Sequence, residues 1–203
     1  MIVIVDYGLG NLGSVLNMFK KINVEAKITS NLEEIYKAKK ILLPGVGAFD
    51  TAMQRINDLG LKDILNEKAL IEKVPVLGIC LGMQLLTNSS EEGKLRGLGW
   101  IEGQSFSFKG KINKALKIPH MGWNIAEIQQ QNVITKDFEG EIRFYFVHSY
   151  FVEVVNQKYS MMKTTYGVPF DSAIVKDNIF GAQFHPEKSH KFGMRLFKNF
   201  AKI

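Results

Sequence analysis

The chain has 203 residues, 46% hydrophobic and 23% charged, with a formal net charge of +6. That balance excludes a disordered chain or a coiled coil and suffices for one sizeable core. The basic residues are scattered (Lys20-Lys21, Lys37-Lys39-Lys40, Lys109 to Lys117, Lys188-Lys191) without interleaved aromatics, so they predict a solvated surface and not a nucleic-acid binder. No run approaches about 18 consecutive apolar residues, so no membrane span is expected. The single cysteine, Cys80, rules out an internal disulfide and any zinc site needing several thiolates; no metal is expected, and a reducing, cytoplasmic setting is.

Taken in chain order, "MIVIV" (1–5) reads as a buried strand, and "LGSVLNMFKKI" after it as a helix. Between them "GLGNLG" (8–13) has the G-x-G-x-x-G form of a dinucleotide-binding turn. The acidic residue required at the end of the next strand is missing, since that strand closes on Thr29-Ser30-Asn31. A tight turn built from small residues is therefore the better reading, with a nucleotide-binding module as the alternative. "VEAKIT" (24–29) is the second strand, "LEEIYKA" (32–38) a short helix, and "KILLPG" (40–45) the third strand. Met53, Ile56, Leu59, Leu61, Ile64 and Leu65 then recur at helical spacing, before a fourth strand at "VPVLGI" (74–79) and a helix from "LGMQLLT" (81–87). Such alternation predicts a parallel sheet wrapped by helices. The second half, "SFSFKG", "IRFYFVHSYFVEVV", "MMKTTYG", "SAIVKD" and "IFGAQFH", predicts added antiparallel strands, closed by a helix over "SHKFGMRLFKNFAKI". No linker or repeat divides the sequence, which predicts one α/β domain over 1–203.

The frame Gly78-Ile79-Cys80-Leu81-Gly82 has the form of a nucleophile elbow with cysteine in place of serine. A sulfur at the start of a helix is favoured as thiolate, and the Leu81 N–H is available to an oxyanion. The glycines of "PGVGAF" (44–49) leave amides free, so Val46 or Gly47 is the candidate second donor. Of the four histidines, His190 reads as solvated, His120 as a loop residue, and His148 as a rival base at a strand end. His185 has Glu187 two residues on across Pro186, which in an extended segment places carboxylate and imidazole on one side. Such a pair can orient a base for the thiol.

"LPGVGAFD", "GICLGMQLL", "PHMGWN", "YFVHSYF" and "FGAQFHPEKS" occur in the order typical of class I glutamine amidotransferases, which the chain resembles over almost its whole length. "PHMGWN" and "PGVGAFD" resemble the histidine-biosynthesis branch in particular. The resemblance implies a flavodoxin-like α/β domain with a mostly parallel sheet, helices on both faces and added antiparallel strands. It implies Cys80 as nucleophile, His185 as base and acid, Glu187 as its orienter, and an oxyanion hole of Val46, Gly47 and Leu81. Gln84, Ser149 and Tyr150 would hold the substrate glutamine, which is hydrolysed to glutamate and ammonia without a cofactor. The implied partner is a (β/α)8-barrel cyclase that uses the ammonia to make imidazole glycerol phosphate and AICAR, with Met121, Trp123 and Asn124 at the interface. The ending "KSHKFGMRLFKNF" also resembles paralogues that supply ammonia for amination of a surface or flagellar sugar.

Overall fold

The computed structural model describes residues 1–203. Its first half runs β1 (Ile2–Val5), α1 (Leu12–Lys21), β2 (Ala26–Thr29), α2 (Leu32–Tyr36), β3 (Lys40–Gly45), α3 (Phe49–Asp58), α4 (Leu61–Asn66), β4 (Val76–Cys80) and α5 (Leu81–Leu85). Successive strand side chains point to opposite faces, so a strand covered on both sides must be apolar throughout. Accordingly Ile2 and Ile4 pack with Val15 and Phe19 of α1, whereas Val3 and Val5 pack with Ala52, Met53 and Ile56 of α3. α2 starts where the Asn31 side chain accepts from the Glu34 N–H at 3.1 Å, with Glu33 and Glu34 in its first turn.

The periodic stretch from Met53 to Leu65 is two helices, not one continuous pattern. Gly60, at φ +65°, turns the chain between α3 and α4 in a conformation that side chains rarely adopt.

The second half supplies β5 (Ser89–Ser90), β6 (Gly103–Ser107), β7 (His120–Ile125), β8 (Glu127–Ile128), β9 (Arg143–His148), β10 (Tyr150–Val154), β11 (Ser160–Tyr166), β12 (Val168–Lys176), β13 (Ile179–Ala182) and the closing helix α6 (His190–Lys202). The 11-stranded sheet runs β2-β1-β3-β4-β13-β12-β10-β6-β5, with β11 on β12 and β8 on β11. From β2 to β13 every pairing is parallel, in a flavodoxin-type order; β12, β10 and β6 continue it antiparallel. The run "IRFYFVHSYFVEVV" breaks at Ser149. Its first part, β9, leaves the main sheet to pair with β7 in a separate antiparallel ribbon. His120, expected in a loop, is instead the buried first residue of β7, opposite His148. No helix is long and apolar enough to cross a membrane.

Candidate active site

Cys80 lies at the C-terminal end of β4, in register with Gly45 at the end of β3. Its backbone is held at φ 54°, ψ −111°, which for a residue with a side chain costs roughly 1–3 kcal/mol. The flanking glycines make the turn possible. A Cβ at Gly78 would stand 2.6 Å from the Gly82 carbonyl oxygen, and one at Gly82 would fall on the Leu43 carbonyl. α5 therefore begins directly against β3 and β4, and the thiol is presented at the top of the sheet.

β13 lies beside β4 and carries the chain to His185 at the same edge. There the His185 N–H donates to the Tyr145 carbonyl at 2.9 Å, and the Ser189 hydroxyl donates to the His185 carbonyl at 2.6 Å. Nδ1 of His185 is 2.7 Å from Oε1 of Glu187, with the two side chains 3% and 2% exposed. The expected pairing forms, but by a different geometry. His185 is extended, and Pro186–Lys188 then turn into one short 3-10 helix that folds Glu187 back onto the ring. Since Oε1 of Glu187 accepts from Nδ1, Nε2 is the free nitrogen; it is buried with no hydrogen-bond partner, and Cys80 is near enough to act on the charge of the ring. Burial opposes charge on this ring, but Cys80 and Glu187 together outweigh it and push His185 up to about 10. The arrangement can hold a proton between a thiol and a departing group.

His148 does not compete for this role. Its Nδ1 is 2.8 Å from the Tyr150 carbonyl oxygen and its Nε2 is 2.9 Å from Nδ1 of His120, so neither nitrogen is open to the thiol.

A cavity of ≈ 330 Å³ opens in front of the sulfur. Val46, Gly47, Leu81, Gln84, Ser149 and Tyr150 line it with Cys80, so the residues expected around the nucleophile are brought together. Two polar groups were missed by the sequence reading. Glu92 lines the same cavity, its Oε2 accepting from the Phe49 N–H at 3.0 Å. Gln183 is wholly buried and donates to Sγ of Cys80 at 3.7 Å. A glutamine inside the apolar run "IFGAQF" is the signal that could have found it, because a buried amide needs partners.

Met121 and Trp123 are exposed on β7 by 61% and 47%, and Asn124 is half-buried beside them. Trp123 is thus a surface residue, stacked on the exposed His190 with ring centroids 5.5 Å apart. In the Gly8–Gly13 turn the Gly8 N–H is already taken by Oδ1 of Asp6 at 2.8 Å, and the Arg55 guanidinium packs against Gly8. The turn is filled by the chain's own side chains.

A cysteine elbow and a carboxylate-backed histidine at the C-terminal edge of such a sheet define an amide-cleaving α/β enzyme of the glutamine amidotransferase type. The chain belongs to the family described as glutamine amidotransferase class-I, which matches residues 3–203. It is 54% identical to imidazole glycerol phosphate synthase subunit HisH 2 of Methanococcus maripaludis over 202 residues, 100% of this chain and 99% of that one. It is 48% identical to the subunit HisH 2 of Pseudomonas aeruginosa and 47% to the subunit HisH of Bdellovibrio bacteriovorus, each over 100% of both chains. Among solved structures it shares its fold with a glutamine amidotransferase (TM-score 0.76, 17% identity, 100% of both chains). It likewise shares its fold with PurLQS from Thermotoga maritima (TM-score 0.73, 18% identity, 99% of this chain and 97% of that one).

Proposed function

We infer that the chain is the glutaminase subunit of imidazole glycerol phosphate synthase, releasing ammonia from glutamine for histidine biosynthesis. The observation that carries the chemistry is His185, tied to Glu187 through Nδ1, with its buried Nε2 unpartnered and Cys80 close enough to act on its charge. The pathway follows from full-length identity to HisH subunits, and the sugar-amination and nucleotide-binding alternatives are not favoured.

In this reading Sγ of Cys80 attacks the side-chain amide carbon of glutamine. The oxyanion is met by the Leu81 N–H and the backbone at Val46 and Gly47. His185 passes its proton to the amide nitrogen, the C–N bond breaks and ammonia leaves a glutamyl thioester. Water then attacks the thioester, His185 takes its proton, and glutamate departs as the thiol is restored. Gln84 and the Ser149–Tyr150 backbone hold the substrate, and Glu92, a carboxylate at the cavity wall, faces its α-ammonium group. The exposed side chains of Met121 and Trp123 on β7, with Asn124 half-buried on the same strand, form the seat of a (β/α)8-barrel cyclase subunit.

Mixing the chain with that cyclase and its ribulosyl aminoimidazole carboxamide substrate tests the reading. Glutamine should yield imidazole glycerol phosphate and AICAR. Product from added ammonia but none from glutamine would overturn it.

A further inference from the structure

Two buried histidines, His120 and His148, take no part in the chemistry above, yet they are hydrogen-bonded to each other and to the substrate side of the cavity. They are direct cross-strand partners in the β7–β9 ribbon. The carbonyl of Tyr150 can only accept, so His148 must carry its hydrogen on Nδ1 and, as a neutral ring, accept through Nε2. His120 must then donate from Nδ1 across the 2.9 Å contact, which leaves its Nε2 to accept from the Asn124 amide at 3.2 Å. The Asn124 amide is itself fixed, since Nδ2 donates to the Thr165 carbonyl at 3.0 Å and Oδ1 accepts from the Ile125 N–H at 2.8 Å.

Every hydrogen in this chain of contacts is thereby placed, and all point one way, from Asn124 to Tyr150. A series with a donor at its head and a pure acceptor at its tail cannot reverse, so it acts as a clamp and not as a proton wire. Its setting keeps it so. Phe108, Phe146 and Phe170 pack around the rings, and burial pushes His120 down to about 4 and His148 down to about 3.

The clamp closes on a functional carbonyl. Tyr150 O also accepts from Nε2 of Gln84 at 3.2 Å, and Gln84 donates in turn to Oε1 of Gln183 at 3.1 Å. The corner between β9 and β10 that presents Ser149 and Tyr150 to the cavity is therefore held by His148, which itself lines the cavity.

We propose that His120 and His148 are positioning residues for glutamine, fixing Tyr150 and Gln84 in the substrate-holding geometry through a hydrogen-bond series anchored on the Asn124 amide. This rests on the glutaminase reading of the Cys80 site.

The test is glutamine kinetics in the complex with the barrel subunit. His148→Phe keeps an aromatic ring among the phenylalanines but removes both hydrogen bonds. It should raise KM for glutamine about tenfold, the scale of one buried hydrogen bond, with kcat within about threefold. His148→Asn, whose amide can still donate to the Tyr150 carbonyl, should recover most of the affinity, and His120→Phe should raise KM in the same sense. An unchanged KM in His148→Phe, a loss confined to kcat, or no rescue by His148→Asn overturns the positioning role. Should His148→Phe not fold, an unchanged KM in His120→Phe does the same. A wild-type complex that releases no ammonia from glutamine would instead count against the glutaminase reading itself.

Discussion

Gln183 bridges the two halves of the site: its amide donates to Sγ of Cys80 at 3.7 Å, and its carbonyl oxygen accepts from Gln84 at 3.1 Å. One buried side chain thus touches both the proposed nucleophile and Gln84, the residue proposed to hold the substrate. Gln183→Leu preserves shape, removes the donor from the sulfur and leaves the Gln84 amide one acceptor short. It should lower kcat/KM for glutamine about tenfold while the far-ultraviolet circular dichroism stays unchanged. Full activity in the variant would reduce Gln183 to a space-filling role.

The base assignment separates cleanly in a comparison of two histidines. His185→Ala should cut glutamine-dependent synthesis by about 10²–10⁴-fold and leave synthesis from added ammonia intact, because only the proton carrier is lost. His148→Ala should retain measurable glutaminase turnover. If the two variants exchange phenotypes in a coupled glutamate assay, the proton carrier is His148.

The elbow predicts an unusually intolerant glycine. In Gly82→Ala the new methyl would fall on the Leu43 carbonyl, so either α5 lifts or β3 shifts. Overpacking of this kind costs roughly 1–3 kcal/mol. Thermal unfolding should show the loss as a fall in Tm of a few degrees, about 2–4 °C per kcal/mol for a chain of this size. Glutaminase activity should fall with it, since Cys80 rides on the same turn. A variant with unaltered Tm would mean that the turn is softer than its geometry implies.

The buried histidines give stability a signed dependence on pH. His120 and His148 are held down to about 4 and about 3 from 6.5, so below 6.5 the unfolded chain binds protons that the folded one refuses. Their contribution is complete above 6.5 and is lost as pH falls toward those values. His185 has the opposite sign: raised to about 10, it stabilises fully below 6.5 and ceases to do so as pH climbs through 10. Together the three groups favour a maximum near pH 6.5. Tm measured from pH 4 to pH 9 should decline on both sides, and His148→Phe should flatten the acid limb. An acid limb equally steep in that variant would assign the loss to carboxylates instead.

The residues proposed as catalytic were legible as a pattern because each stands in a local frame that small residues spell out. Glycines on both sides of Cys80 announce a sharp turn, and Pro186 between His185 and Glu187 restricts the chain enough to pair them. Even so, the pairing came from a 3-10 turn where simple alternation had been expected. What stayed hidden depends on distant strands. "PHMGWN" reads as a break, with its proline and glycine, until β9 arrives more than twenty residues later to pair with it and bury His120. Gln183 sits in a run whose apolar character dominates any periodicity, and its partners Gln84 and Cys80 are about a hundred residues away. The parallel half of the sheet was readable from its alternating strands and helices. The departure of β9 from β10 at Ser149 was not, because a continuous apolar run carries no mark of a change of sheet.

β13 is the last strand of the chain and the central one of the sheet, inserted between β4 and β12. The thiol leaves the ribosome about a hundred residues ahead of His185, its proposed base, and the two meet only when the sheet is completed from its middle. A nascent or truncated subunit that lacks β13 carries the cysteine without its proposed base, so ammonia release should be withheld until β13 and His185 have been made.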